Sequence, residues 1–590
     1  MLFCFLAAVA VLCGSVAAAW LLRKQKKEGR QTLPPLNVLF GGVLVAAVLL
    51  FLPAYTNQEM NDAFQVIKAL AFSLYSAIRL FAADGDYEVI LENIGGGELA
   101  HWYQLLASVL MVMAPALTFG AVLSFFNNVS ANVAYILAYF KDVYVFSDLN
   151  ERSLTLAADI RKNHPDAAVA FAAVPEEEEG EIQDRARSMG AMCFKKDILS
   201  VRFGFHAKSK GLWFFNISED QDANVLGALR LLEIYGDRPN TNLFVFATGV
   251  ESEALLTSAQ NRAMRVRRVD EVHSRINRLL YEEGHLLFDP SLPEVDGEKQ
   301  ITALVVGMGS HGTAMVKALS WFCQMDGYRV TVHGFDRDPL AEEKFSALCP
   351  ELMDETHNGT NTPGDAHYQI HIHGDTCVES KGFADRIHRL KDASYVLVAL
   401  GDDGLNIRTA MELRVLFEQV GAKPRIQAIV YSSEKRAALA GLKNFKGQPY
   451  SIDFIGDMES SYTEAVILES ELEEDALRRH LRWGKESEFW GYEYNYRSSI
   501  ALAIHSRAKQ KVGIAGANKA EEELTDGERL ALEDLEHRRW NAYMRSQGYI
   551  YSGSTDKRSR NDLGRMHHDL IAYADLSEEE KRKDSKVASK

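Results

Sequence analysis

The sequence predicts a membrane-anchored, multidomain protein: N-terminal transmembrane α-helices, two doubly wound α/β domains of the Rossmann type, and a C-terminal, mainly α-helical domain. Three observations predict this architecture. Apolar residues crowd residues 1–130, short apolar strands alternate with amphipathic helices over residues 141–470, and the remainder is charged with one helical apolar stripe. A chain of 590 residues is also too long for a single core.

The composition excludes several classes of protein. A net charge of -16 argues against a general nucleic-acid binder, which needs a basic surface to neutralise phosphates. The six cysteines are scattered and form no CxxC pair, so the sequence predicts neither a disulfide framework nor a cysteine zinc site. The 25% of charged residues is ordinary for a globular protein.

The first predicted region, residues 1–140, is transmembrane. Helices that cross the membrane are expected at about 2–22, 37–52 and 102–126, and the first is about as long as a bilayer core is thick. The basic segment 23–30 follows the first helix directly, which is typical of an uncleaved anchor rather than a signal peptide. The charge distribution therefore predicts an inner (plasma) membrane protein with its N-terminus outside and its large C-terminal region in the cytoplasm.

Residues 63–83 form a predicted helix whose relation to the membrane the sequence leaves open. The segment is long enough to span, but Lys68 and Arg79 interrupt it. One interpretation is an amphipathic helix on the outer surface or against the bundle. The other is a re-entrant or pore-lining helix, because ionisable groups at membrane depth usually face water or protein.

The second predicted α/β domain, residues 300–475, contains a glycine motif in its expected context. A strand at 301–306 leads into Gly307, Gly309 and Gly312, and a helix follows. Gly307 permits a tight turn, Gly309 lets a pyrophosphate approach the backbone, and Gly312 lets the helix pack closely on the strand.

Asp336 follows the next strand, where an acid can accept hydrogen bonds from ribose hydroxyls. The helix N-terminus beyond the glycines would face an anion. The motif predicts a nucleotide site, with NAD(H) or another adenine nucleotide as a regulatory ligand. The alternative is a Rossmann domain with an empty pocket.

The first predicted α/β domain, residues 141–295, has the same order of elements without the glycines. Ser147, Leu149 and Arg152 stand in the three glycine places after the strand 143–146. A dinucleotide cannot approach that backbone as closely, so this half is expected to bind nothing or a different ligand.

Further matches between the halves indicate an internal duplication. Asp197 and Asp375 each follow a third strand, and Asp402 lies in the turn that matches the segment before Asn224. Residues 141–470 resemble a tandem pair of RCK (regulator of K⁺ conductance) or TrkA-N domains, the cytoplasmic Rossmann modules of ion channels and transporters. The resemblance implies nucleotide or ion ligands and face-to-face assembly. It carries Gly307, Gly309, Gly312, Asp336, Asp375 and Asp402 over as ligand-binding candidates.

The last predicted domain, residues 480–590, is built around a helix at 528–545 that carries Trp540. A Gly-Tyr-x-Tyr turn holding Tyr549 and Tyr551 follows, and later a Tyr-x-x-Leu-Ser-Glu-Glu-Glu segment. This pattern is similar to the RyR (ryanodine receptor repeat) domain, although two of that family's prolines are replaced here.

A basic loop beside these aromatics suggests a second ligand site. Arginine pairs with phosphate and aromatic rings stack on bases, so this region is a candidate for an anionic, stackable ligand. The alternative is that the aromatics are core and the bases solvated. The candidates are Trp540, Tyr549, Tyr551, Lys557, Arg558 and Arg565.

No metal site and no catalytic site is predicted. His371 and His373 share one face of a predicted strand, but the duplication already explains that segment. No nucleophile, Schiff-base lysine or paired-carboxylate arrangement is apparent, so the protein is not expected to be an enzyme.

The leading hypothesis is a ligand-gated membrane regulator or effector that couples a cytoplasmic nucleotide-like ligand to an oligomeric pore or to ion transport. Three crossings per chain cannot enclose a pore, so a homo-oligomer in contact with membrane lipid is expected. Two alternatives remain: a non-conducting regulatory subunit of an ion transporter, and a membrane-disrupting anti-phage defence effector triggered by a nucleotide second messenger.

Overall fold

The computed structural model describes most of the chain as two compact units, Met1–Ala134 and Tyr135–Lys590. The described residues are 1–27, 35–56, 63–129, 131–174, 180–249, 251–253, 256, 263–353, 367–468 and 471–582. Part of the predicted basic segment 23–30 lies outside these ranges.

The first unit is helical, as predicted. Its helices are α1 (Leu2–Lys27), α2 (Pro35–Thr56), α3 (Ala63–Phe81), α4 (Tyr87–Asn93) and α5 (Glu98–Val129), followed by α6 (Ala131–Leu137). Four helices of the described chain hold apolar stretches long enough to cross a membrane, at Leu2–Leu21, Val38–Thr56, Phe64–Phe81 and Glu98–Phe119. The segment that the sequence left open, now α3, thus has the length and composition of a membrane helix.

Helix α3 packs through a face of small residues. Ala69, Ser73, Ser76 and Ala77 are buried, whereas the large apolar side chains of Phe64 and others on the opposite face are exposed. Small residues let helix backbones approach closely, which is how helices associate in lipid. Tyr55 of α2 makes a 2.8 Å hydrogen bond with Ser76.

The turn between α3 and α4 is charged and lies beside the middle of α5. Arg79 donates to Asp86 at 2.8 and 2.9 Å. Gly85 lies against Met111, and Ser108 makes a 3.4 Å hydrogen bond with the Tyr87 hydroxyl. Because the apolar stretch of α5 runs from Glu98 to Phe119, residues 108–111 lie near its midpoint.

The second unit contains two parallel sheets with the same strand order. In the first sheet, the order is β3-β2-β1-β4-β5-β6. Its strands are β1 (Val143–Phe146), β2 (Ala168–Phe171), β3 (Met192–Cys193), β4 (Leu212–Asn216), β5 (Thr241–Phe246) and β6 (Arg265–Val269). The helices between them are α7 (Glu151–Asn163), α8 (Glu181–Ser188) and α9 (Gln221–Tyr235), and α10 (Glu271–Glu283) follows the last strand.

The second sheet repeats the arrangement as β10-β9-β8-β11-β12-β13, with β7 antiparallel to β8. Its strands are β7 (Glu294–Val295), β8 (Glu298–Val306), β9 (Tyr328–Phe335), β10 (Tyr368–His373), β11 (Tyr395–Val398), β12 (Arg425–Ile429) and β13 (Ile452–Ile455). Its helices are α11 (Ser310–Phe322), α12 (Ala341–Leu348), α13 (Lys381–Arg389), α14 (Asp403–Gln419) and α15 (Ser433–Leu439). This order is that of the doubly wound Rossmann fold, which confirms the predicted class.

The sequence explains why these segments form central strands. Strands β1 and β11 read VYVF and YVLV, and every residue in them is buried. A strand covered by helices on both faces needs such a continuous apolar run. The ligand-binding crevice of this fold lies where the strand order reverses, here between β1 and β4 and between β8 and β11.

The C-terminal region is mainly helical, as predicted. Its helices are α16 (Met458–Ser461), α17 (Glu464–Ile467), α18 (Glu471–His480), α19 (Glu486–Gly491), α20 (Glu493–Val512) and α21 (Asp526–Ser546), with a small sheet of β14 (Ile550–Tyr551) and β15 (Met566–His567).

This region shares its core with the second Rossmann sheet. One buried cluster contains Leu319 of α11, Ala503 of α20 and Met544 of α21. His505 hydrogen-bonds the Gln324 carbonyl at 2.7 Å, and the Trp321 and Tyr543 rings pack edge to face. The C-terminal helices are therefore part of the same folded body as the second sheet.

Ion pairs join the first Rossmann sheet to the same helices. Arg267 of β6 pairs with Glu473 at 2.8 Å, and Arg268 pairs with Glu493 at 2.5 Å. Arg268, at 3% side-chain exposure, is nearly removed from water. Buried charges are retained only when they are paired in this way, so these contacts fix the C-terminal helices against β6.

Candidate functional site

The glycine bend after β8 needs glycine at its first and third places for steric reasons. Gly307 has a φ of +98°, and a Cβ there would overlap the Ala399 carbonyl oxygen. A Cβ at Gly312 would overlap the Gly307 carbonyl oxygen. At Gly309 a Cβ would meet nothing within 4 Å. The bend is thus tight at its base and open above Gly309.

A cavity of about 500 Å³ opens above this bend. Gly307, Gly309 and Asp336 line it, as do Thr376, which follows β10, and Asn406 near the start of α14. Asp336 accepts the backbone N–H of Met308 at 2.6 Å and that of Asp338 at 2.8 Å. An ionised carboxylate has about four lone-pair positions, so two remain for ligand hydroxyls.

A histidine that the sequence did not single out lines the same cavity. His311, in the first turn of α11, lines the cavity and accepts a 2.6 Å hydrogen bond from Arg275 of α10. The Arg275 guanidinium also lies 5.2 Å from the centre of the Tyr431 ring. Burial, with a contribution from Arg275, lowers the pKa of His311 to about 4, so its ring is neutral at pH 7.

The other predicted residues of this site lie around the cavity rather than on its wall. Gly312 packs against Gly307 beneath the bend. Asp402 accepts the Leu405 N–H at 2.8 Å and so caps α14. Asp375 follows β10 with a φ of +50°, next to the wall residue Thr376. Their predicted roles as ligand contacts remain predictions.

The corresponding bend after β1 is closed by side chains. Ser147 Oγ accepts the Ile217 N–H at 2.9 Å. Arg152 donates to Glu271 at 3.1 Å and to the Ser218 carbonyl at 3.3 Å, across the switch point of the sheet. The Tyr462 hydroxyl donates to the same Glu271 at 2.5 Å. This packing gives a physical reason for the expectation that the first half binds no dinucleotide.

Helix α10 therefore touches both bends. Glu271, its first residue, holds Arg152 of the first half. Arg275, one turn later, holds His311 of the second half. A rigid helix that contacts both crevices is a direct mechanical connection between them.

The C-terminal region contains a second, larger cavity of about 880 Å³. Of the six residues predicted for this region, Trp540, Tyr549 and Lys557 line it. The other three have different surroundings. Tyr551 donates its N–H to Glu351 at 3.0 Å, Arg565 donates to the Gln547 carbonyl, and Arg558 is exposed in a short 3-10 helix.

Two histidine clusters are present. His371 and His373 share a face of β10, as the sequence implied, and His333 of β9 joins them with a 3.1 Å contact to His373. Burial lowers the pKa of His333 and of His373 to about 4, so these rings are neutral. Within the described residues, only His567, His568 and Asp569 bring three metal-type ligand atoms within 4.8 Å of one another.

Comparison with known proteins gives distant likenesses. No family model and no curated protein matches the chain. The crystal structure of a GsuK mutant is 13% identical over 72% of this chain and 95% of its own, with a TM-score of 0.32. A dipicolinate synthase chain from Bacillus halodurans is 10% identical over 56% and 92%, with a TM-score of 0.19. At these scores the assignment of the fold depends on the strand order described above.

Proposed function

We propose that the protein is a ligand-gated inner-membrane regulator or effector, in which a nucleotide-like ligand at the Gly307–Gly312 bend controls an oligomeric pore or ion transport. The open cavity above Gly309, with Asp336 on one wall and His311 on another, is the observation that supports it, and Arg275 contacts His311 from behind that wall. Backbone N–H groups at a helix N-terminus and a nearby guanidinium are suited to phosphate. NAD(H) and other adenine nucleotides are the candidate ligands.

The proposed coupling runs through α10. A phosphate beside His311 would compete for Arg275, which now donates to that histidine and stacks on Tyr431. Movement of Arg275 would disturb the contacts one turn away on α10, where Glu271 accepts hydrogen bonds from Arg152 and Tyr462. A ligand shifts such an equilibrium only by its difference in affinity for the two arrangements.

The proposed orientation has the N-terminus outside and the second unit in the cytoplasm, so it requires an odd number of crossings. We take α3 and α4 as a re-entrant hairpin, so that α1, α2 and α5 cross. The turn beside residues 108–111 of α5 supports this, because if α5 crosses, the chain would turn back at mid-depth there and return through α4 to begin α5. Charged groups at that depth would be paired, as Arg79 and Asp86 are.

Thiol labelling tests the orientation. In a chain whose six cysteines are replaced, Gly95→Cys and Phe445→Cys are labelled in intact spheroplasts with a membrane-impermeant reagent. Both positions are exposed, and a Cβ at Gly95 meets nothing within 4 Å. We expect Gly95→Cys to react from outside and Phe445→Cys only after lysis. Reaction of both from one side would contradict the three crossings.

Ion flux tests the function itself. The full-length protein is reconstituted in liposomes, and flux is measured across a panel of adenine nucleotides. Gly309→Trp fills the open side of the bend without backbone strain, and Gly527→Trp, at another open glycine, is the matched control. We expect nucleotide-dependent flux in wild type and in Gly527→Trp, and none in Gly309→Trp. Vesicles that stay ion-tight although nucleotide binds would contradict a conducting protein and favour an accessory role beside a separate transporter.

A further inference from the structure

The C-terminal cavity is walled by aromatic side chains from four separate segments. They come from the turn after α18, from the start of α20, from the middle of α21 and from the loop around β14. The rings are those of Trp483, Tyr492, Tyr494, Trp540 and Tyr549. Aromatic walls of this kind bind planar ligands by stacking.

Two nearly buried side chains on the same wall have unused hydrogen-bonding capacity. Arg539, with 2% of its side chain exposed, donates from Nη2 to Glu536 at 2.6 Å. Its Nη1 has no hydrogen-bond partner among the described residues. His568 is 5% exposed, and neither ring nitrogen makes a hydrogen bond in that same part of the chain, although Nε2 lies 3.3 Å from an Asp569 carboxylate oxygen.

Buried polar atoms without partners are rare, because each costs the free energy of removing it from water. Arg539 Nη1 can only donate, so it needs an acceptor. A neutral histidine offers one donor and one acceptor. A ligand that satisfies both side chains therefore needs a planar ring whose edge carries hydrogen-bond acceptors and a donor.

The cations at the rim are already compensated. Lys557 contacts Glu579 and Glu580, each at 2.8 Å, and Arg560 contacts Asp562 at 2.9 Å. A site selected for a bare polyanion would leave such groups free to meet it. Recognition here must come mainly from the ring, with any phosphate held at the rim.

We propose that this cavity is a second ligand site that binds the base of a nucleotide, stacked on the aromatic wall with its edge toward Arg539 and His568. A nucleobase has a planar face that can stack on the aromatic rings, and its edge carries acceptors and donors for Arg539 and His568. An indole or phenol ring has no comparable set of acceptors for Arg539. The site is separate from the glycine bend, and the inference stands whether or not the function proposed above is correct.

Calorimetry on the full-length protein in detergent tests the site. The Gly309→Trp background is used, so that binding at the Rossmann bend does not contribute. The probes are the monophosphates of adenosine, guanosine, cytidine and uridine, with inorganic phosphate alone as a fifth. We expect saturable binding of at least one nucleotide and none of phosphate. Failure of all four nucleotides, or equal binding of phosphate, would overturn the proposal without bearing on the glycine bend.

Rim and wall variants locate the binding. Trp483 and Tyr492 are 41% and 55% exposed, so Trp483→Ala and Tyr492→Ala should fold normally. We expect each to weaken binding about tenfold or more through lost stacking. His568→Phe keeps a ring and removes both nitrogens, and it should weaken binding without lowering the melting temperature.

Phe445→Ala is the control, because that ring is 93% exposed and lies on the second Rossmann sheet's outer loop. Its affinity should equal that of the background. Wild-type affinity in both Tyr492→Ala and His568→Phe would contradict the proposal. Loss of binding on chelation by EDTA would assign the cluster of His567, His568 and Asp569 to a metal ion, and would overturn the nucleobase assignment.

Discussion

The two Rossmann sheets have the same strand order and differ in the side chains that occupy their crevices. Each has the strand order that creates a crevice, between β1 and β4 or between β8 and β11, and each uses a buried asparagine to tie strand ends together. Asn224 donates to the Phe246 carbonyl at 2.9 Å, and Asn406 donates to the Ile429 carbonyl at 2.8 Å. At the bend the halves diverge, since Arg152 crosses the first crevice and the second is open above Gly309.

This difference shows that the fold supplies a crevice but its side chains decide whether a ligand can enter. The first half retains the architecture of a binding domain, yet its crevice holds an internal ion pair between Arg152 and Glu271. The second half keeps the glycines. His311, on the wall of its cavity, accepts a hydrogen bond from Arg275, which belongs to the helix that ends the first half. The two halves therefore differ as an open cavity and a crevice filled by its own side chains.

The largest expected contrast comes from the third place of the two bends. Gly312→Leu should destabilise the protein by more than about 3 kcal/mol or prevent folding, because a side chain there overlaps backbone. Arg152→Leu removes a partly exposed ion pair and should cost only about 1 kcal/mol. Thermal unfolding followed by circular dichroism measures both. Equal melting temperatures for the two variants would contradict the steric argument.

A pH-dependent contrast is expected one residue earlier. The pKa of His311 is about 4 in the folded protein and about 6.5 when unfolded, so unfolding takes up a proton between these values. The stability that His311 contributes is therefore present above pH 6.5 and is lost as the pH falls toward 4.

The size of that loss is on the order of 2 kcal/mol. His311→Gln should show a shallower fall in stability over this range than wild type, in denaturant titrations at pH 7, 6 and 5. Glu151 holds the matching place in the first bend and pairs with Arg185 at the surface. Glu151→Gln is the control, and a curve for His311→Gln parallel to wild type would rule out the assignment.

A smaller contrast separates two arginines of α10. Arg275→Ala should weaken binding of a phosphate-bearing nucleotide about tenfold, which is the scale of one charge-assisted hydrogen bond, and should leave adenosine binding nearly unchanged. Arg278 lies one turn away, pairs with Glu282 and donates to the Ser460 carbonyl. Arg278→Ala should bind both ligands as wild type does. Calorimetry with ADP and adenosine decides between the two residues.

The smallest expected effect is a loss of stability that should be nearly equal in the two halves. Asp220 caps α9 and Asp402 caps α14, each through its side chain. Replacing either by alanine should cost about 1 kcal/mol, and Asn should restore most of it. Asp402→Asn would keep the cap and remove the charge. A specific loss of nucleotide affinity in that variant would return Asp402 to the ligand site as the sequence suggested.

The sequence was sufficient for most of the secondary structure. Strand β1 begins and ends where the apolar run 143–146 does, and α21 follows the stripe that carries Trp540. Glycine spacing and the Asp after β9 located one crevice, because their chemistry is local to a few residues. The aromatic turn near Tyr549 likewise indicated the region of the second cavity.

Contacts between distant segments were beyond the reach of the sequence. Arg275 lies 36 residues from His311, and no local pattern shows that their side chains meet. Arg539 was not among the predicted residues, since its burial in an ion pair with Glu536 is not visible in the sequence of a single helix. The placement of the α3–α4 turn beside Met111 depends on packing among four helices, which composition alone does not determine.

The common core of the second sheet and the C-terminal helices bears on how such a chain can evolve. If recombination replaced the segment after residue 480 by an unrelated one, Leu319 and its buried neighbours would lose the apolar side chains that pack against them. We therefore expect the two regions to be inherited together, with substitutions on one side of the shared core accompanied by substitutions on the other. The border at residue 480 separates two stretches of sequence but not two independent cores.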